Sequence, residues 1–258
     1  MPWADTNSPS FGIAWSEVGN RLFEAGVDRG VLYVGNEPGV PWTGLIGVKK
    51  SRSGGAPKPR FVDGVKVSNH SGLEQFEGTI EAFASPPQFD VCDGTVIVQN
   101  GLRAKHQRRR PFSLVYRTKV GNDLIGLDFA YKVHILYNLR AEPSDRQNET
   151  LGDDVEPMLF SWDVSARPEV VEGLVPTAYF EFDSRDVPTE LLQTIENILY
   201  GDSTQDASLP SAGELIFLFD SYNDLVYDAG GPLTPTFSIH DAGTPSTAVT
   251  STVDSGGV

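Results

Sequence analysis

Hydrophobic and polar side chains alternate most regularly in the middle of this chain. Phe112, Leu114, Tyr116, Thr118 and Val120 share one face of an extended segment, with Ser113, Arg117 and Lys119 on the other. Tyr131, Val133, Ile135, Tyr137 and Leu139 repeat the pattern against Lys132, His134 and Asn138. A period of two marks a strand with one buried face. Gly121-Asn122-Asp123 and Gly126 supply turn residues between the segments, so the pair predicts a long antiparallel hairpin. On this reading His134 occupies the less apolar face, as a hydrogen-bonding surface or interface residue.

Shorter apolar runs at 31–34, 45–50, 79–84, 95–98, 158–164 and 177–183 predict further strands. Within 177–183, Ala178, Phe180 and Phe182 oppose Tyr179, Glu181 and Asp183. Many short strands separated by turns predict a mainly β sandwich or barrel with long polar loops and arms. The period changes at about 187–200, where Leu191, Leu192, Ile195, Ile198 and Leu199 line one helical face. Asp186 is placed to cap this flanking helix, Pro188 suits its first turn, and Gly201 can stop it. Residues 16–25 form a second helical candidate, weakened by Gly19. Beyond it lies a C-terminal extension, 202–258. There 214–220 and 224–227 predict a hairpin, and a Gly-, Pro-, Ser- and Thr-rich arm begins at Gly230. The organisation expected is therefore a β-domain over 1–201, with an N-terminal arm, followed by this extension.

The net charge of −15 is unevenly distributed. Residues 1–140 hold 17 Lys+Arg against 13 Asp+Glu, a net of +4; residues 141–258 hold 3 against 22, a net of −19. Soluble acidic loops account for such a tail. Copies of one subunit meeting basic end to acidic end also account for it. Two basic stretches stand out. One is a Gly/Pro/Ser-rich loop over 49–60 carrying Lys49, Lys50, Arg52, Lys58 and Arg60. The other is the run Lys105, Arg108, Arg109 and Arg110. With a pI near 4.6 and no groove-entering helix, the second reads as a protein-contact loop rather than a nucleic-acid patch.

The chemistry-bearing residues are sparse. His70, His106, His134 and His240 form no metal-ligand spacing with one another or with Cys92, the only cysteine. No Gly-x-Ser-x-Gly elbow occurs. Cys92 reads as a packing residue and fits a reducing cytosol. Asp153 with Asp154, and Glu181 with Asp183, are acid pairs of the kind glycosidases use, but they lie in an acidic region where a solvated face is the simpler reading. The start of the chain shows no secretory signal, and no apolar run approaches the ~18 residues of a membrane span. No catalytic, metal or cofactor site is expected.

Several segments carry a family resemblance. They are Gly39-Val-Pro-Trp-Thr-Gly-Leu-Ile-Gly-Val48, Phe61-Val-Asp-Gly-Val-Lys66, Phe76-Glu-Gly-Thr-Ile-Glu-Ala-Phe-Ala84 running on to Cys92-Asp-Gly94, the hairpin 110–138, and Phe160-Ser-Trp-Asp163. In this order they resemble the major tail proteins, or tail tube proteins, of long-tailed phages that infect actinobacteria. Residues 202–258 match no part of that pattern. The resemblance implies a β-sandwich or barrel with a flanking helix. It implies hexameric rings stacked into a hollow virion tail tube, assembled in the host cytoplasm and filled by a tape-measure protein. Terminator and tip proteins meet its ends, and genomic DNA passes through during ejection without specific binding.

DNA carries one negative charge per roughly 1.7 Å of axis, so a basic bore would hold it and an acidic one repel it, within about 8–10 Å at physiological salt. Asp153, Asp154, Glu181 and Asp183 are accordingly candidate lumen or interface acids. The loop 49–60 and the segment after Gly230 are candidate inter-ring contacts, and Lys105 to Arg110 a candidate subunit contact. Two alternatives remain. One is a monomeric carbohydrate-binding β-sandwich using Trp3, Trp15, Trp42 or Trp162 as stacking platforms. The other is a β-sandwich hydrolase using the paired acids.

Overall fold

The computed structural model describes residues 18–53, 58–70, 75–143 and 157–228. The strands are β1 (Leu22–Tyr33), β2 (Val40–Pro41), β3 (Leu45–Ser53), β4 (Lys58–Val62), β5 (Val65–His70), β6 (Gln75–Ala82), β7 (Val96–Gln99), β8 (Leu102–Ala104), β9 (Phe112–Asn122), β10 (Gly126–Ala141), β11 (Phe160–Ala166) and β12 (Tyr179–Asp183). A 3-10 turn spans Pro87–Val91, and the helices are α1 (Thr189–Tyr200) and α2 (Ala212–Asp228). The chain divides into two compact units, 1–219 and 220–258.

The fold is mainly β, as the alternation predicts. One antiparallel sheet runs β2-β1-β9-β10-β11-β6-β3, with β12 also paired to β10. It folds back on itself at β10. That strand pairs with β9 and β12 over its first part and with β11 only at Leu139–Ala141. One leaf is therefore β2-β1-β9-β10-β12, and the other is β11-β6-β3. At one end of the interior, Phe89 from the 3-10 turn lies 4.7 Å from Trp42, 5.1 Å from Trp162 and 5.1 Å from Phe112. All four rings are buried. Cys92 is fully buried beside them, and burial pushes its thiol up to about 12.

The hairpin is present, but its two apolar faces point in opposite directions. The register pairs Leu136 with Leu114 and His134 with Tyr116. The even-numbered residues of β10 therefore share the interior with the apolar face of β9. Val133, Ile135 and Tyr137 face outward and are still buried, because α1 lies over the first two, with Glu196 beside Arg117 and Tyr131 on that face, and the Tyr137 hydroxyl donates to the Pro210 carbonyl. Tyr33 donates a hydrogen bond to the Leu199 carbonyl, and the Arg29 guanidinium stacks 5.7 Å from the Tyr200 ring. A bulge at Asn138, with φ of 51°, then reverses the phase and turns Leu139 into the core.

Helix α1 begins at Thr189 and buries Leu191, Ile195 and Leu199. Its N-cap is Pro188, without a side-chain bond, and not Asp186. Asp186 instead closes a turn onto the Asp183 carbonyl. Three local expectations are corrected. The hairpin expected over 214–227 is helical, because Ser211 and Glu214 cap α2 reciprocally: Ser211 N–H donates to Glu214 Oε2 at 2.8 Å, and Glu214 N–H to Ser211 Oγ at 3.3 Å. The helix expected over 16–25 is a turn at Val18-Gly19 followed by β1, and residues 16 and 17 lie outside the described residues. The loop expected over 49–60 is largely strand: β3 continues to Ser53, and β4 pairs with β5 as a separate ribbon.

Candidate functional site

A polar constellation of partly exposed lysines and glutamates is built around the buried His134, at the end of the sandwich opposite Phe89. The ring has no exposure to solvent. It stacks on Tyr116 with centroids 4.7 Å apart and lies 6.1 Å from the Tyr179 ring. This corrects the surface position expected for His134. Alternation placed it opposite the apolar residues of its own strand, but that opposite face is the interior.

Each ring nitrogen of His134 meets a separate set of partners. On the Nε2 side, Thr118 Oγ1 is 2.7 Å away and Glu24 Oε1 3.6 Å. The Thr118 hydroxyl donates to Glu24 Oε1 at 2.6 Å. An ionised carboxylate is the stronger acceptor of that single proton, so Nε2 carries the hydrogen and donates to Thr118. Nδ1 is then an acceptor. Around it are Lys50 Nζ at 3.3 Å, Tyr179 Oη at 2.8 Å and Glu181 Oε2 at 3.1 Å. The Lys50 ammonium also donates to Tyr179 Oη at 2.6 Å and lies 3.5 Å from Glu181 Oε2. It thus neutralises two acceptors that would otherwise repel. The Tyr179 hydroxyl donates to Glu181 Oε2. Lys132 completes the cluster, 3.0 Å from Glu24 and 3.4 Å from Glu181.

Two lysines therefore balance two glutamates around a neutral imidazole. Burial and then the Lys50 charge push the His134 pKa down to about 4. Burial would raise the carboxyls of Glu24 and Glu181. Hydrogen bonds from Thr118 and Lys132 to the first, and from Tyr179 to the second, outweigh it and leave both below the usual carboxylate range. Burial, followed by the Glu181 carboxylate, raises the Tyr179 phenol. With hydrogen on Nε2, the ring does not take a proton from Thr118. The Thr118–His134–Glu181 line is thus wired as a structural network, not as an activated hydroxyl.

The expected site residues fall in several places. Lys50 and Glu181, predicted as separate contact and lumen residues, meet in the cluster just described. Asp183 is buried and held by Arg185, whose Nη2 donates to its Oδ2 at 2.6 Å. Lys49 and Arg60 are exposed on β3 and β4, and Arg52 and Lys58 belong to the same strands. Lys105 donates to Thr95 Oγ1 at 2.7 Å and lies 3.9 Å from Asp93. Arg108 and Arg110 are exposed and Arg109 is half-buried, on a segment tied back by Gln107 N–H to Gly94 and Arg110 N–H to Val91. Asp153, Asp154, Trp3, Trp15 and the arm after Gly230 lie outside the described residues. Trp42 and Trp162 are buried, so neither offers a carbohydrate platform. Among the described residues, no cluster of His, Cys, Asp or Glu is arranged for a metal ion, and no helix is long and apolar enough to cross a membrane.

The surface has a second distinctive feature. The β7–β8 ribbon stands apart from the main sheet. Val96, Ile97, Val98 and Leu102 are 45%, 61%, 57% and 58% exposed. The β9–β10 tip adds the exposed Leu124 and Ile125, and β5 adds the exposed Val65 and Val67. Single exposed apolar residues are ordinary; contiguous apolar patches are the ones that mark contact surfaces. No model of a known protein family matches this chain, and no curated protein is significantly similar to it.

Proposed function

We propose that this chain is a structural subunit that polymerises with copies of itself, as stacked hexameric rings forming the tube of a phage tail. The observation that carries the reading is the uncovered β7–β8 ribbon. A lone two-stranded ribbon is at best marginally stable in water. One with consecutive valine and isoleucine side chains exposed on both faces is a template for association. Its root carries Arg103 and Lys105, which face Asp90 and Asp93, and the exposed Arg108, while the chain beyond residue 140 has a net charge of −19. A polar head-to-tail contact that does not close on itself yields a filament, and complementary charge selects its direction.

The resemblance carried by the segments between Gly39 and Asp163 suggests the specific form: a virion tail tube assembled in the host cytoplasm, with tape-measure, terminator and tip proteins as partners and genomic DNA as unbound cargo. The carbohydrate-binding and hydrolase readings are less favoured. Two of their four tryptophans are buried, and their described acid pair is held by cations.

Negative-stain microscopy and size-exclusion chromatography of the purified full chain test the proposal. Rings of six or tubes are expected as concentration rises. A monomer that persists at the highest soluble concentration overturns it.

A further inference from the structure

Lys50 reaches the His134 cluster from β3, on the β11-β6-β3 leaf. The other members come from the facing leaf: Glu24 from β1, Tyr116 and Thr118 from β9, Lys132 from β10, and Tyr179 and Glu181 from β12. β3 ends the sheet order and is paired with β6. The contact from Lys50 to Glu181, Tyr179 and His134 is thus a cross-leaf tie on a terminal strand.

We propose that His134, Lys50 and Glu181 form an acid-sensitive clasp between the two leaves. A proton taken up at His134 Nδ1 transfers Glu181 from the ammonium to the imidazolium and releases β3.

Geometry sets the competition. Nδ1 and Glu181 Oε2 are already 3.1 Å apart, so a protonated ring bonds the carboxylate without moving. The same proton places an imidazolium 3.3 Å from the Lys50 ammonium. Two unit charges at such a distance repel by several kcal/mol in a partly buried setting. Lys50 and Lys132 offset Glu24 and Glu181 before protonation, and the protonated ring brings the cluster to +1, which favours the departure of one cation. Lys132 is held by Glu24 at 3.0 Å and by Glu181 at 3.4 Å. Lys50 is the more exposed lysine, at 36% against 26% for Lys132, so water replaces more readily the contacts it gives up to Tyr179 and Glu181. Thr118 is indifferent to the change, since it accepts from Nε2–H in both states. Tyr116 and Tyr179 are neutral throughout, their phenols raised by burial.

The closed clasp holds the imidazole near pKa 4, against an ordinary value of 6.5. The clasp therefore weakens as pH falls through the interval between those values. This is a property of the single subunit and stands whether or not the chain assembles.

Hydrogen exchange of the full chain, corrected for intrinsic rates, tests it at pH 7 and pH 4.5. Peptides covering β3 are expected to exchange roughly tenfold faster or more at the lower pH, while β9 and β10 keep their protection. His134→Gln cannot titrate, and β3 should then exchange alike at both pH values. Lys50→Gln should loosen β3 already at pH 7, and acid should add little. Should His134→Gln not fold, ring NMR of the wild type and Lys50→Gln decides: removing the ammonium should shift the buried histidine's midpoint upward. Full β3 protection in wild type at pH 4.5, an unchanged acid response in His134→Gln, or an unmoved midpoint in Lys50→Gln overturns the proposal.

Discussion

The Tyr33 hydroxyl donates its hydrogen bond to the Leu199 carbonyl, joining the end of β1 to the last turn of α1 across 166 residues of sequence. That carbonyl is one of the four at a helix end that lack an intrahelical partner. Its neighbour at Ile198 accepts from Ser208 N–H at 2.8 Å. Gly201, at φ of 75°, turns the chain between them. The returning segment packs so closely that a Cβ at Gly201 would lie 2.8 Å from Ala207 N. The helix end is therefore fixed by a strand side chain and by a loop, which holds α1 over Val133 and Ile135.

Replacing Tyr33 with phenylalanine keeps the ring and removes the donor. Tyr33 is 2% exposed, so water does not readily take the hydroxyl's place. An unfolding free energy lower by about 1–3 kcal/mol is expected, the cost of one orphaned buried acceptor. Urea denaturation measures it. An unchanged midpoint would show that the carbonyl is satisfied without the phenol.

The capping of α2 gives a second prediction and shows where the sequence was legible. Ser211 Oγ and Glu214 Oε2 form a reciprocal pair at 3.0 Å. Ser211→Ala should cost about 1 kcal/mol, read as a lower thermal midpoint, with Glu214→Gln costing less. The Ser-x-x-Glu spacing was present in the chain, yet the apolar run Leu215-Ile216-Phe217-Leu218-Phe219 resembled a buried strand, and periodicity alone does not separate the two. Strand positions in β9, β10, β11 and β12 were legible because each has a clean period of two.

The direction of each strand face was not legible. α1 covers one face of the first leaf, so both phases of β10 are buried, and the register that sets His134 beside Tyr116 depends on pairing with the preceding strand. The cluster was illegible for the same reason. Glu24, Lys50, Thr118, Lys132, His134, Tyr179 and Glu181 are scattered along the sequence, and only sheet topology brings them together.

Global stability should fall in mild acid, and the sign follows from His134. Its folded pKa is depressed to about 4 from 6.5. Between those values the unfolded chain binds the proton and the folded chain does not. Stability is therefore fully present above about pH 6.5, falls as pH drops through the window, and has lost this contribution below about pH 4. The depression corresponds to about 3 kcal/mol at 1.36 kcal/mol per unit. Glu24 and Glu181, held below the usual carboxylate range, add losses at lower pH still. Chemical denaturation at pH 7, 5.5 and 4.5 measures the slope, and His134→Gln should flatten it within the window.

The ribbon supplies the prediction that separates folding from assembly. Ile97 is 61% exposed, on a strand whose four residues all face solvent in the single subunit. Ile97→Asp removes little buried surface there, so monomer stability should change by less than about 0.5 kcal/mol. In the proposed polymer the same position would be covered by a neighbouring copy, and burying an unpaired carboxylate is strongly unfavourable. Rings or tubes should then be absent at concentrations where the wild type forms them. Circular dichroism and urea denaturation establish that the variant folds, and negative-stain microscopy establishes whether it assembles. Normal tubes from a folded Ile97→Asp chain would place the subunit contacts elsewhere, at the β9–β10 tip or the β4–β5 ribbon, while leaving self-association itself intact. A variant that is both folded and permanently monomeric would tie assembly to this ribbon through a single side chain.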